Sequence, residues 1–273
     1  GLGYFDKSGR FVETSPSSTS ELDDAKELRD QAKDHLPEIE KAYVEEITKT
    51  QNQIDGLNAI TTSKTSYDNA AASAANAERA LTDAKNAEET AKTAVEDLAK
   101  TAGQTLDEYM NDNPTQSEVL TYQQAIMNTT GAVLDKTAAD TAKSSAETAY
   151  TSAVTSYNTS YSDTIPTDPT QYNEADISKK QTALTKQKTQ QEAAKDVRVN
   201  NYNKLDTQIQ LTDDFFKNGG TEEGGKFYDK DKNEVVAVDS DGKTLSQWTE
   251  GTYYLLHSQT YPQMTHDFLV GDI

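Results

Sequence analysis

Alanine recurs at intervals of seven in the middle of this chain, at Ala132, Ala139, Ala146 and Ala153, with Ala142 and Ala149 at an alternate offset. The habit is shared upstream by Ala70, Ala77, Ala84 and Ala91, and Leu98 takes the next place. Small apolar residues repeated every seven positions at two offsets mark long helices packed along a common seam. Residues 132, 139, 142, 146, 149 and 153 are therefore assigned as the seam of one helix. Alanine suits such a seam because it allows close helix approach and has the highest helix propensity. Each methyl contributes only about 0.8 kcal/mol, against about 1.5–3 kcal/mol for a buried leucine.

Periodicity extends the helical reading to residues 20–217. Ser20 with Glu21, Asp23 and Asp24 forms an acidic N-terminal cap. Leu22, Ala25, Leu28, Ala32, Leu36, Ile39, Tyr43 and Ile47 then advance by threes and fours. Three breaks are expected. Around residues 56–66 Gly56 and the run ITTSKTS lower helix propensity, which is compatible with a kink or a turn. A second break falls at 103–118, where Pro114 constrains its predecessor, and a third at 161–173, where Pro166 and Pro169 end the helix. Asn173 or Asp176 is placed to cap the last one.

The two ends differ from this middle. Residues 1–13 read as a hairpin, with Tyr4-Phe5 and Phe11-Val12 flanking a turn at Asp6 to Gly9, and a linker follows to residue 19. From 218 to 273 the period changes and β-like runs alternate with turn signals. Tyr4-Phe5-Asp6-Lys7 is echoed by Phe227-Tyr228-Asp229-Lys230. These features predict a mainly α fold with a small β part: an elongated antiparallel helical bundle or coiled coil, capped by a β domain that the two chain ends form together.

Composition narrows the functional classes. The chain has 46 acidic and 26 basic residues for a net charge of −20. Such a surface repels nucleic acid and anionic lipid, whose binding requires clustered Lys and Arg. No apolar run is long enough to span a bilayer. There is no cysteine, which excludes disulfides and thiolate metal sites. The start at Gly1 without Met suits a processed mature chain or a fragment. Abundant Thr, Ser, Asn and Gln with few Arg point to an extracellular or cell-surface protein of prokaryotic or viral origin.

Chemistry-bearing motifs are sparse. No nucleophile elbow, phosphate loop, zinc-binding HExxH or dinucleotide fingerprint occurs. His257 and His266 lie at a spacing that matches no compact ligand motif. No carboxylate pair stands out as acid and base. The chain is read as a non-enzyme with no cofactor, calcium excepted. Asp229, Asp231 and Asn233 occupy the first liganding offsets of a calcium loop, although Glu234 stands where glycine is needed and Ser240 where a bidentate glutamate belongs. With Asp239 and Asp241 they make a looser calcium candidate.

The apolar groups of the ends supply the assembly candidates: Tyr4, Phe5, Tyr253, Tyr254, Phe268, Leu269, Val270 and Ile273. Open strand edges invite strand addition from a neighbour. The leading expectation is thus an extracellular structural subunit, a homo-oligomer or polymer that builds a filament, surface layer or viral appendage through its β-rich end. The alternative is a monomeric adhesin or binding module on a helical stalk, with a carbohydrate or protein ligand.

Overall fold

A computed structural model describes residues 3–5, 11–13, 19–223 and 226–234 of the chain. Four α-helices dominate: α1 (Thr19–Thr101), α2 (Leu106–Asp112), α3 (Ser117–Tyr161) and α4 (Glu174–Lys217). A 3₁₀ turn, Pro169–Gln171, precedes α4. The chain divides into two compact units, one of Asn52–Thr182 and one of Gly1–Gln51 with Ala183–Ile273.

The first of these units is built on α1 and α3, which run antiparallel. Lys136 Nζ lies 3.3 Å from Glu78 Oε2, Thr129 Oγ1 donates to the Ala84 carbonyl at 3.3 Å, and Gln53 Nε2 donates to the Tyr157 hydroxyl at 3.1 Å. Near the chain reversal, Ala91 and Val95 of α1 pack with Val119, Tyr122 and Ala125 of α3, and Leu106, Tyr109 and Met110 of α2 cover them. Thr105 caps α2 by accepting from the Glu108 amide, and Gly103 takes the left-handed turn (φ 69°) that releases the chain from α1.

At the other end of the same unit α1, α3 and the start of α4 meet. Leu57, Ile60, Tyr150 and Val154 are fully buried there, with Tyr157, Ile165 and Ile177 nearly so. The connection between α3 and α4 is fixed by side chains. Asn158 donates to the Ile165 carbonyl and accepts from its amide, at 2.8 and 3.0 Å. Asp168 accepts from the Thr170 amide, and Asn173 caps α4 by accepting from the Asp176 amide at 3.1 Å. Ser162 ends α3 in the left-handed region, with φ 51°.

Helix α1 runs unbroken through residues 56–66, so the chain does not turn there. The hydroxyls that depress helix propensity bond back onto the preceding turn, Thr61 to the Leu57 carbonyl and Thr65 to the Thr61 carbonyl, each at 3.2 Å. Gly56 costs about 1 kcal/mol of propensity, but a Cβ there would stand 2.9 Å from the Tyr157 ring. Burying Leu57 and Ile60, at about 1.5–3 kcal/mol each, outweighs these local penalties. Packing decides the segment, against its local preference.

The second unit pairs the N-terminal part of α1 with α4, again antiparallel. Ile39 and Tyr43 pack on Tyr202, flanked by Leu36 and Ala194. Thr50, the buried polar residue of this seam, donates to Gln191 Oε1 at 2.9 Å. Lys188 Nζ donates to Gln51 Oε1 at 2.7 Å, and Lys26 Nζ bonds Asp213 Oδ1 at 2.5 Å.

The β part of the expected fold is overturned. Strands β1 (Gly3–Phe5) and β2 (Phe11–Glu13) pair only with each other, as do β3 (Thr221–Glu223) and β4 (Lys226–Tyr228). Tyr4 lies opposite Val12 and Phe5 opposite Phe11, whereas Phe227 lies opposite Glu222. The echoed aromatic segments therefore do not meet in one sheet. Each strand takes the neighbour nearest to it in sequence, as consecutive elements commonly do. The described residues form an all-helical, four-helix fold carrying two short hairpins, with no β domain or barrel.

Candidate interaction face

Helix α3 positions the site. Along it, the line Tyr122, Thr129, Lys136, Lys143, Tyr150 and Tyr157 is inward, and so is the line Ala125, Ala132, Ala139, Ala146 and Ala153. All of these are buried or half-buried. Ala142 and Ala149, expected on the seam, are exposed. The inward offset lies four residues after each seam alanine, not three, because there the helix carries tyrosines and lysine stems. These cover more apolar area than a methyl can. Lys136 is tied to Asp140 at 2.5 Å as well as to Glu78, and its hydrogen bond to Asp140, followed by that to Glu78, raises its pKa.

The opposite side of α3 carries an apolar stripe with no partner among the described residues. Leu120, Ile126, Met127, Val133 and Leu134 are exposed, and Met127 and Leu134 each keep 67% of their surface in contact with solvent. Leu120, Met127 and Leu134 stand seven apart on one line, and Ile126 and Val133 stand seven apart beside it. The two lines are offset by one residue and so lie about 100° apart around the helix, with Gln123 and Thr130 between them and Ile126 and Val133 nearer the flank of the packed side. Residues 119–134 contain no charged side chain, in a chain that is 26% charged. Beside Leu120 lies a hollow of about 450 Å³, lined by Ala87 of α1 with Thr121, Gln124, Ala125 and Asn128 of α3. A Cβ at Gly131 would meet nothing within 4 Å, so this point of the stripe is open. Single exposed apolar residues are ordinary, but a contiguous uncharged group is not.

None of the residues of this stripe was a candidate on sequence. On sequence, Val119, Tyr122 and Ile126 read only as one short helical piece after the Pro114 turn, and Gly131 as a break or a tolerated glycine. The signal available was the charge gap, since apolar periodicity alone fits two faces of one helix.

The other candidates are placed as follows. Asp229 Oδ1 accepts from the amides of Asp231 and Asn233, both at 2.9 Å, and its Oδ2 accepts from Asn233 Nδ2 at 3.3 Å. These bonds, the Asn233 amide first, lower its pKa. Its carboxylate is thus engaged in closing the turn before β4's bridge from Tyr228 to Glu234. Among the described residues no three His, Cys, Asp or Glu converge on a point that could hold a metal ion. Asp239 and Asp241, like Tyr253, Tyr254, Phe268, Leu269, Val270 and Ile273, lie outside the described residues. Tyr4 and Phe5 sit in the β1–β2 hairpin.

Among the described residues no helix is long and apolar enough to cross a membrane. No protein-family model matches the chain, and neither a curated protein nor a solved structure shows significant similarity to it. The reading as a structural subunit that assembles into a filament, surface layer or viral appendage through a β-rich end is overturned. The described residues hold no β-rich cap, only two separate two-stranded hairpins of three-residue strands.

Proposed function

We propose that this chain is a helical protein-binding module, without enzymatic activity of its own, acting outside the cell or at its surface. The observation that carries this reading is the uncharged stripe of Leu120, Ile126, Met127, Val133 and Leu134 on α3. Its chemistry favours a protein over a carbohydrate. Sugars are held by aromatic platforms and by hydrogen-bonding carboxylates and amides, whereas this line offers aliphatic and thioether side chains at helical spacing. Such a line accepts the apolar face of a second helix, with anchors every turn or two. The abundance of Thr, Ser and Asn supports the extracellular setting.

A photo-crosslinking residue at Met127, compared with the same residue at exposed Ala80 on α1, tests the reading in the cells that make the protein. The expected result is a protein adduct from position 127, none from position 80, and loss of the adduct when Leu134→Glu is added. Equal adducts from both positions, or an adduct indifferent to Leu134→Glu, would contradict it.

A further inference from the structure

Away from the α3 stripe, and independent of it, the end of α4 runs into the one Asn-Gly pair of the chain, Asn218-Gly219. The backbone nitrogen that follows an asparagine can attack the side-chain carbonyl and close a succinimide ring. A side chain on the following residue crowds that attack, and glycine has none. Asparagine is accordingly one of the thermolabile residues.

The fold itself demands the glycine that makes Asn218 labile. Gly219 lies in the left-handed region at φ 92°, where the chain leaves α4, and a Cβ there would stand 3.0 Å from the Lys230 Cβ. A side chain at this position would be both strained and crowded. Asn218 is exposed, and its carboxamide makes no hydrogen bond with a described residue. Other asparagines are better protected. The Asn158 carboxamide is held on both sides by the Ile165 backbone. Asn58, Asn69, Asn76 and Asn86 each precede an alanine inside α1. What restrains Asn218 is the helix end. Gly219 N–H donates to the Phe216 carbonyl at 3.1 Å, and Asn218 N–H to the Asp214 carbonyl at 2.9 Å. Terminal bonds of this kind open at the least cost.

We infer that Asn218 is a self-modifying site, gated by opening of the last turn of α4. Once the Gly219 N–H is released, its nitrogen bonds to the Asn218 Cγ and the side-chain nitrogen departs as ammonia, taking the proton with it. Water then adds to either carbonyl of the succinimide, leaving aspartate or isoaspartate. No oxidant, cofactor or second protein takes part. Both products put a carboxylate at the negative end of α4, beside Asp213 and Asp214, where the helix dipole opposes it. Isoaspartate also lengthens the main chain by a methylene. The modification therefore loosens the joint between α4 and the β3–β4 hairpin.

Ageing the purified full chain at mildly alkaline pH, in native buffer and in urea, tests this, with peptide mass spectrometry that separates isoaspartate from aspartate. Conversion is expected at Asn218 well ahead of every other asparagine, with isoaspartate in excess, and several-fold faster in urea than in native buffer. Asn218→Gln, whose longer side chain must close a larger ring, should stay intact under both conditions. Hydrogen exchange across residues 216–223 should be faster in the aged chain than in the fresh one, with Asn218→Asp between them. An Asn218 that lasts as long as the Asn-Ala positions of α1 would overturn the site. Equal rates in native buffer and urea would overturn the gate, and unchanged exchange after conversion would overturn the loosening.

Discussion

Replacing Tyr150 with alanine is expected to lower the unfolding free energy by about 3–5 kcal/mol, the range for deleting a large buried aromatic. Tyr150 has no exposed surface, and its ring meets Tyr172 edge-on at 6.4 Å, where α1, α3 and the start of α4 come together. Its hydroxyl, however, is buried without a hydrogen-bond partner among the described residues, and burial is the first cause raising its pKa. A buried polar group that makes no hydrogen bond is a cost of about 1–3 kcal/mol. Tyr150→Phe should accordingly leave stability unchanged or increase it. Urea unfolding of both variants separates the two contributions. A small loss for alanine would mean that the junction is loosely packed, and a large loss for phenylalanine would mean that the hydroxyl is satisfied.

Thr62→Pro should cost about 3 kcal/mol or more, because it deletes a helical hydrogen bond and drives the ring into the preceding turn. Thr62 is exposed, so the effect reports on the backbone alone. It sits two residues beyond Ile60, in the segment where local propensity argues for a break and the structure has continuous helix. Proline in a genuine turn would be nearly neutral. Circular dichroism melts of Thr62→Pro against Thr62→Ala therefore decide between them: near-equal melting temperatures would restore the turn. Helix α1 already carries Pro37, at an exposed position.

These two cases show why some of the fold was legible in the sequence and some was not. The heptads of α1 and α3 were visible because a seam imposes its period on every turn that it buries. The cap at Asn173 was one of two residues of the right type at a helix start, and the structure selects it through the Asp176 amide. The 56–66 segment misled because its stabilisation is non-local: Gly56 makes sense only beside Tyr157, a hundred residues away. Ala142 and Ala149 misled because alanine is tolerated equally on a buried and an exposed helix surface. The deeper line was written in the tyrosines at 122, 150 and 157. The echo between Tyr4-Phe5 and Phe227-Tyr228 suggested a shared sheet, but composition carries no information about which edge meets which. The exposed apolar stripe was hidden for a related reason. Leucine, methionine and valine at helical spacing look like core until the seam they compete with has been located.

Which face of α3 is free is the claim on which the rest depends, and the lack of any cysteine makes it directly measurable. Single cysteines at Met127, Leu134, Ala142 and Ala149, and others at Val119, Ala125 and Val154, can be reacted with a maleimide in chain dilute enough to be monomeric. The first four should label at the rate of a free thiol, and the last three only as the helices separate. Slow labelling at Met127 and Leu134 together with fast labelling at Val119 and Val154 would turn the helix over and contradict the account.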